Sequence, residues 1–209
     1  MSREASAPGV QIVLPGSWWN IPVHDEEASA RAIRALANKV TNRMDEFARV
    51  RGDLRSELTA LADKAREGGT EQLFLALEIV PGAVLPMSLA VFWPDLDLLG
   101  SRPSDPQSVI DMVRRSLASL PDSDEYGDDE VAVLGDTTTY RRCTTIEHPA
   151  DGDVEAYETL VVDYWIAVPN TQRVALLTFS TNIAGERELL LQLFRVMVES
   201  LRWDEDPDQ

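Results

Sequence analysis

His24, His148 and Cys143 are the chain's full complement of imidazoles and thiols. A cysteine–histidine dyad would need its two side chains within hydrogen-bond reach. Cys143 and His148 stand five residues apart in one extended segment, and an odd separation sends side chains to opposite faces of a strand. The expected arrangement is therefore a half-buried thiol and an exposed imidazole. Asp122, Asp124, Asp128, Asp129 and Glu130 crowd one acidic stretch and offer oxygens of the kind Ca²⁺ takes. The calcium-loop spacing fails, with Tyr126 at the fifth position and Val133 at the twelfth. Asp95 and Asp97 form a D-x-D pair with no basic or imidazole partner nearby in sequence, which fits a turn- or helix-capping role. Glycosidase-type acid/base work needs two facing carboxylates, and nothing in the spacing selects a pair. The phosphate-loop, dinucleotide, serine-hydrolase and zinc-helix motifs are all missing. No catalytic residue, metal or cofactor is expected, and the enzyme prior falls.

Aromatic residues are the better candidates for contact with a partner. In extended backbone the adjacent Trp18 and Trp19 must face opposite ways. One can enter the core, while the other must sit at an edge, under a loop or at an interface, where large aromatics are enriched. Trp93, followed by Pro94, raises the same question. Tyr140-Arg141-Arg142 is a basic patch in an acidic second half, suited to balancing carboxylates on neighbouring strands. The candidate partner-binding residues are Trp18, Trp19, Trp93, Tyr140 and Arg142.

The elements that position these residues follow from periodicity. Val10 to Leu14 and Asn20 to Val23 read as extended pieces around the Pro15-Gly16 turn. Ile33, Leu36, Val40, Met44, Phe47, Leu54, Leu58, Leu61 and Ala65 make one apolar helical stripe over about 25–68. Gly52 is a place where the stripe could divide, and Gly68-Gly69 ends it. Gln72 to Val80 and Leu85 to Trp93 read as a hairpin turned at Pro81-Gly82. Ser104 or Asp105 caps a helix from Pro106 to Leu120, with proline tolerated in the first turn. After an acidic loop from Pro121 to Glu130 come four strands, Val131 to Leu134, Thr137 to His148, Glu155 to Val168 and Arg173 to Thr181. A last helix from Glu186 to Trp203 buries Leu190, Leu193, Met197 and Leu201. Residues 1–8 and 204–209 read as short mobile tails.

This order specifies an α+β chain, an antiparallel sheet with packed helices. Leu160 to Val168 is apolar on both faces apart from Asp163, so helices should cover both sides as an α/β/α sandwich. Length favours one domain over all 209 residues. The closing run DYWIAVPNTQRVALLTFSTNIAGERELLLQLFRVMVESLRW resembles the end of Mog1/PsbP-like proteins, in particular their actinobacterial LpqN-like members. The opening IVLPGSWWNIPV is similar to the start of such domains. The helical insert at about 25–68 departs from the compact family pattern. With no lipoprotein signal or acylated cysteine in view, a lipid anchor is not carried over. The resemblance implies a non-catalytic scaffold that binds other proteins, of actinobacterial origin, and accessory service to a specialised secretion system is one role open to it.

Composition agrees with a globular protein, 44% hydrophobic and 26% charged. A net charge of −17 repels phosphate backbones, so nucleic acid is not an expected partner. A lone cysteine excludes a disulfide framework and suggests a reducing cytoplasm. No run approaches the ~18 apolar residues of a spanning helix, so no membrane role is expected. The expected function is a cytoplasmic protein-binding or adaptor module, open to homodimerisation. The alternative is a hydrolase or small-ligand-binding protein with a carboxylate-lined pocket. An adaptor should expose an apolar patch near Trp18, Trp19 or Trp93, whereas the alternative should show a concave pocket with convergent polar groups.

Overall fold

Period-two alternation and capping resolve into strands and helices in a computed structural model describing residues 10–41, 47–80, 83–95, 105–121, 126–150, 152 and 155–203. In chain order they are β1 (Val10–Gln11), β2 (Ser17–Ile21), α1 (Glu26–Val40), α2 (Ala48–Glu67), β3 (Thr70–Val80), β4 (Ala83–Phe92), α3 (Pro106–Ala118), β5 (Gly127–Leu134), β6 (Thr137–His148), β7 (Tyr157–Ala167), β8 (Val174–Thr181), α4 (Arg187–Glu199) and β9 (Arg202–Trp203). Strands β2 to β8 form one antiparallel sheet in the order β2-β3-β4-β8-β7-β6-β5, and β1 pairs with β9 separately.

Alternation along β7 divides the core. Leu160, Val162, Tyr164 and Ile166 join Leu89, Val91, Leu177 and Phe179 on one face, beneath Leu190, Phe194, Met197 and Val198 of α4. On the other face, Ile33, Leu36 and Ala62 of α1 and α2 cover Ile21, Leu73 and Leu75. Val109, Ile110 and Val113 of α3 cover Tyr140, Trp165, Ala167 and Val174 on that same face. The fold is α+β, with helices on both faces of an antiparallel sheet. Asp25 caps α1 by accepting the Ala28 N–H at 2.9 Å, and Asp105 caps α3 through Ser108 at 3.0 Å. Pro106 occupies the first turn of α3, where no intrahelical donor is lost.

Several boundaries differ from the sequence expectation. The helical stripe comprises two helices, α1 ending at Val40 and α2 beginning at Ala48, and Gly52 lies inside α2. Met44 of the expected stripe lies outside the described residues. Thr41 closes α1 by donating its hydroxyl proton to Ala37 O at 2.9 Å. Strand β5 starts at Gly127 instead of Val131, because Asp128 and Glu130 are drawn onto the sheet by Arg141 at 3.3 and 3.2 Å. Helix α4 stops at Glu199; Ser200 hydrogen-bonds back to Met197 O at 2.6 Å, and Trp203 enters β9. The first strand shortens to two residues, and the second runs Ser17–Ile21. The residues named for the two tails, Pro81-Gly82, Asp97, Ser104, Asp122 and Asp124 lie outside the described residues.

The β5–β6 turn shows a backbone constraint. Gly135 has φ of 58°, and a Cβ there would stand 3.1 Å from Glu199 O at the end of α4. Gly52 has no atom within 4 Å of a would-be Cβ. Denaturant titration should show Gly135→Ala losing at least the roughly 1–2 kcal/mol of left-handed strain. Gly52→Ala should instead gain about 0.5–1 kcal/mol by raising helix propensity and restricting the unfolded chain.

Candidate functional site

On the face carrying α1 to α3, the two apolar patches are separated by a polar row. Strand register sets Arg142 of β6 beside Asp163 of β7, and Asp163 beside Thr178 of β8. The next row holds Thr144, Val161, Ser180 and Ser88. The Thr178 hydroxyl donates to Asp163 Oδ1 at 2.6 Å. Asp163 has no other hydrogen-bond donor among the described residues. Burial pushes its carboxyl pKa above the usual range, against the opposing effects of the Thr178 hydrogen bond and the Arg142 charge.

Arg142 is only 5% exposed, and its guanidinium carbon lies 3.7 Å from the centre of the Tyr126 ring. Such a face-on approach is a cation–π contact, favoured when desolvated. The row opens into a cavity of about 200 Å³ at the C-terminal end of α3. Leu117, Leu120 and Pro121 form one wall, Trp165 another, and Asp163 and Arg142 lie at its base. One carboxylate and one guanidinium therefore share a space whose remaining lining is apolar and aromatic.

The opposite face is covered by α4 and by the extended segment 10–16. Val10, Ile12 and Leu14 of that segment pack against the main core, and Val13 points outward, 68% exposed. Ser200 at the end of α4 accepts the Val13 N–H at 2.9 Å. Leu189 and Val196, 63% and 62% exposed, lie on the solvent side of α4, with half-buried Leu193 between them. These three fall at i, i+4 and i+7 along one side of α4, where Leu193 also packs against the main core and Leu189 and Val196 face solvent.

Trp18, Trp19 and Trp93 are half-buried. As adjacent residues in an extended strand, Trp18 joins the core beneath α4 and Trp19 the core beneath α1 and α2. Trp18 donates its indole N–H to Pro15 O at 2.8 Å, and Lys39 Nζ stands 5.8 Å from the Trp19 ring centre. Trp93 packs at 6.1 Å against Trp203, with the Arg173 guanidinium 5.6 Å from its ring. Trp203 was hidden from sequence reasoning inside an overlong helix. Trp18 pairs at the level of Met87, six residues from Trp93, so segment 10–16 runs between two tryptophans about 20 Å apart. Tyr140 is buried on the α3 face and donates its hydroxyl proton to Asp129 Oδ2 at 3.1 Å. Burial and the Asp129 charge raise its pKa.

No family model and no curated protein matches the chain. The chain is similar in structure to LpqN of Mycobacterium tuberculosis. That crystal structure is of a protein involved in cell envelope biogenesis; the match spans 95% of this chain and 85% of that one, at 13% identity and a TM-score of 0.47. A protein from Bacteroides thetaiotaomicron matches over 66% of this chain and 40% of its own length, at 12% identity and a TM-score of 0.37.

The remaining chemical candidates are dispersed. Cys143 is fully buried rather than half-buried, and desolvation raises its thiol pKa, which suppresses the reactive thiolate. His148 is half-buried rather than exposed, stacked on Tyr157 at 4.4 Å and hydrogen-bonded to Thr159 Oγ1 at 3.0 Å. His24 pairs with Glu71 at 3.2 Å near the start of β3. Asp128 and Glu130, read above as solvated loop, form an ion-pair network with Arg141, Arg187 and Arg195 that ties α4 to β5 and β6. Among the described residues no group of three or more His, Cys, Asp or Glu is placed to hold a metal ion. No described helix is long and apolar enough to cross a membrane. A surface groove of about 460 Å³ separates α1 from α2, where Arg66 is engaged by Val23 O, Asp63 and Glu26.

The strained titration of Asp163 has a sign that can be measured. Its folded pKa lies above the unfolded value, so the folded chain holds this proton more tightly. Stability contributed by the group declines as pH rises from the unfolded pKa through the folded one, and the full cost of burying the charge is present above both. Asp163→Asn keeps an acceptor for Thr178 without the charge. Thermal melts should show this variant more stable than the parent at pH 7, with the advantage shrinking as pH falls to about 4 and below.

Proposed function

We propose that this chain is a non-catalytic protein-binding module whose docking surface is the outer side of α4 together with the segment 10–16. The observation that carries this reading is the exposure of Leu189 and Val196 on α4, either side of half-buried Leu193, together with exposed Val13 on the segment tied to the end of α4 through Ser200. A surface helix ordinarily turns a polar side to water, and on α4 the exposed Leu189 and Val196 interrupt that side. Arg187, Arg195 and Glu199 flank these residues and are held by ion pairs to Asp128, to Glu130 and within α4. An apolar centre with a polar rim is the composition of a protein–protein interface. Trp18 and Trp93, at the two ends of the segment, serve as bordering aromatic contacts in this proposal. Trp19, Tyr140 and Arg142 lie on the opposite face and act behind it. The proposal keeps a cytoplasmic setting, drawn from the lone Cys143, and accessory service to a specialised secretion system, drawn from the sequence resemblance.

A photo-crosslinking residue placed at Val196, with a control at the exposed Glu57 of α2, tests the surface in the native host. Position 196 should trap a small set of discrete proteins that position 57 does not. Val13→Asp, at a site that tolerates charge, should abolish the adducts while leaving the thermal melt unchanged. No adduct at 196, or the same adducts at both positions, would overturn the proposal.

A further inference from the structure

The cavity beside Asp163 lies on the sheet face opposite α4, and its chemistry is independent of the docking surface. We infer that it is a binding site for a flat aromatic group carrying one N–H or O–H donor, of the indole or phenol class. Three observations converge on this ligand. The first is size. At about 200 Å³ the space is too small for a drug-sized molecule, yet a cavity of roughly 150 Å³ already accommodates benzene. A single- or double-ring system fills it.

The second is the lining. Trp165, Tyr126, Leu117 and Leu120 are the surfaces against which an aromatic ring gains most. The ring of Tyr126 is held in place by the Arg142 guanidinium beneath it. The third is the polar inventory at the base. Thr178 engages one carboxylate oxygen of Asp163, leaving the other as an acceptor in a desolvated setting. Asp163 lines the cavity, so a ligand donor placed there can reach that oxygen and gain a hydrogen bond to a charged acceptor. Neither ionic form fits well. A cation meets the Arg142 charge on the adjacent strand, and an anion meets Asp163 itself. A neutral donor on an apolar ring satisfies every group. This chemistry occurs both as a free aromatic compound and as a tryptophan or tyrosine side chain of a polypeptide.

The test is a ¹⁵N-edited NMR titration of the full chain with indole, 1-methylindole and the peptide Gly-Trp-Gly. Indole should shift amides around Leu117, Tyr126 and Asp163. The N-methyl compound, one methyl group larger and without a donor, should bind about tenfold more weakly, the loss of one hydrogen bond. Leu120 is 51% exposed on the rim, so Leu120→Trp should fold normally and abolish the shifts by filling the cavity. Tighter binding of the peptide assigns the site to a polypeptide side chain, and tighter binding of indole assigns it to a free compound. No shifts with indole or peptide, equal binding of indole and 1-methylindole, or undiminished binding by the Leu120→Trp variant would overturn the inference.

Discussion

The rings of Phe179 in β8 and Phe194 in α4 stack 4.5 Å apart at 15°, and Tyr164 of β7 meets Phe179 edge-on at 6.0 Å. All three are fully buried. Aromatic burial of this kind dominates core energetics, and these geometries add to it. The stack fixes where α4 lies across the sheet and how it is rotated. That placement brings Arg187 and Arg195 to the carboxylates of β5. It also carries Ser200 to the Val13 N–H and delivers Trp203 to pair with Val10. The two ends of the described chain are thereby joined through one helix.

The same constraint distributes polarity between the faces. Because alternate residues of β7 point opposite ways, a face closed by α4 requires Val162 and Tyr164 inward and leaves Asp163 to the other side. There the helices stand apart, α1 and α2 over β2 and β3, α3 over β6 and β7. The polar row of Arg142, Asp163 and Thr178 occupies the interval. Inside the closed face, the Tyr164 hydroxyl is buried beside Arg141 without a well-formed hydrogen bond among the described residues. Burial lifts its pKa to about 12. The molecule thus devotes one face to stability, and the other carries a small cavity in which apolar and aromatic side chains meet Arg142 and Asp163.

Most of the architecture was legible because burial imposes period. The apolar run of β7 and β8 and the helical spacing of Leu190, Leu193, Met197 and Leu201 identified the sheet, its two covered faces and the closing helix. Phe194, which α4 contributes to the stack, was not singled out. Boundaries were misread where a long-range contact decided them. Nothing local in Asp128 to Glu130 announces a strand, since the arginines that hold them come from β6 and α4. Likewise Trp203 continues the helical pattern of α4, and only its pairing with Val10 removes it. The sites were legible in part. Asp163 stood out as the one polar residue in an apolar strand, but its cavity depends on register with Arg142 and Thr178 and on the end of α3. The exposed pair Leu189 and Val196 escapes the sequence reading, which follows the helix through its expected buried side of Leu190, Leu193, Met197 and Leu201.

The most direct measurement is denaturant unfolding of the Phe194→Ala variant, followed by tryptophan fluorescence. If the aromatic stack organises the fold, the variant loses about 3–5 kcal/mol, the range for deleting a fully buried phenylalanine. A loss below about 1 kcal/mol, with the parent's cooperativity retained, would show that α4 is held elsewhere and contradict the account.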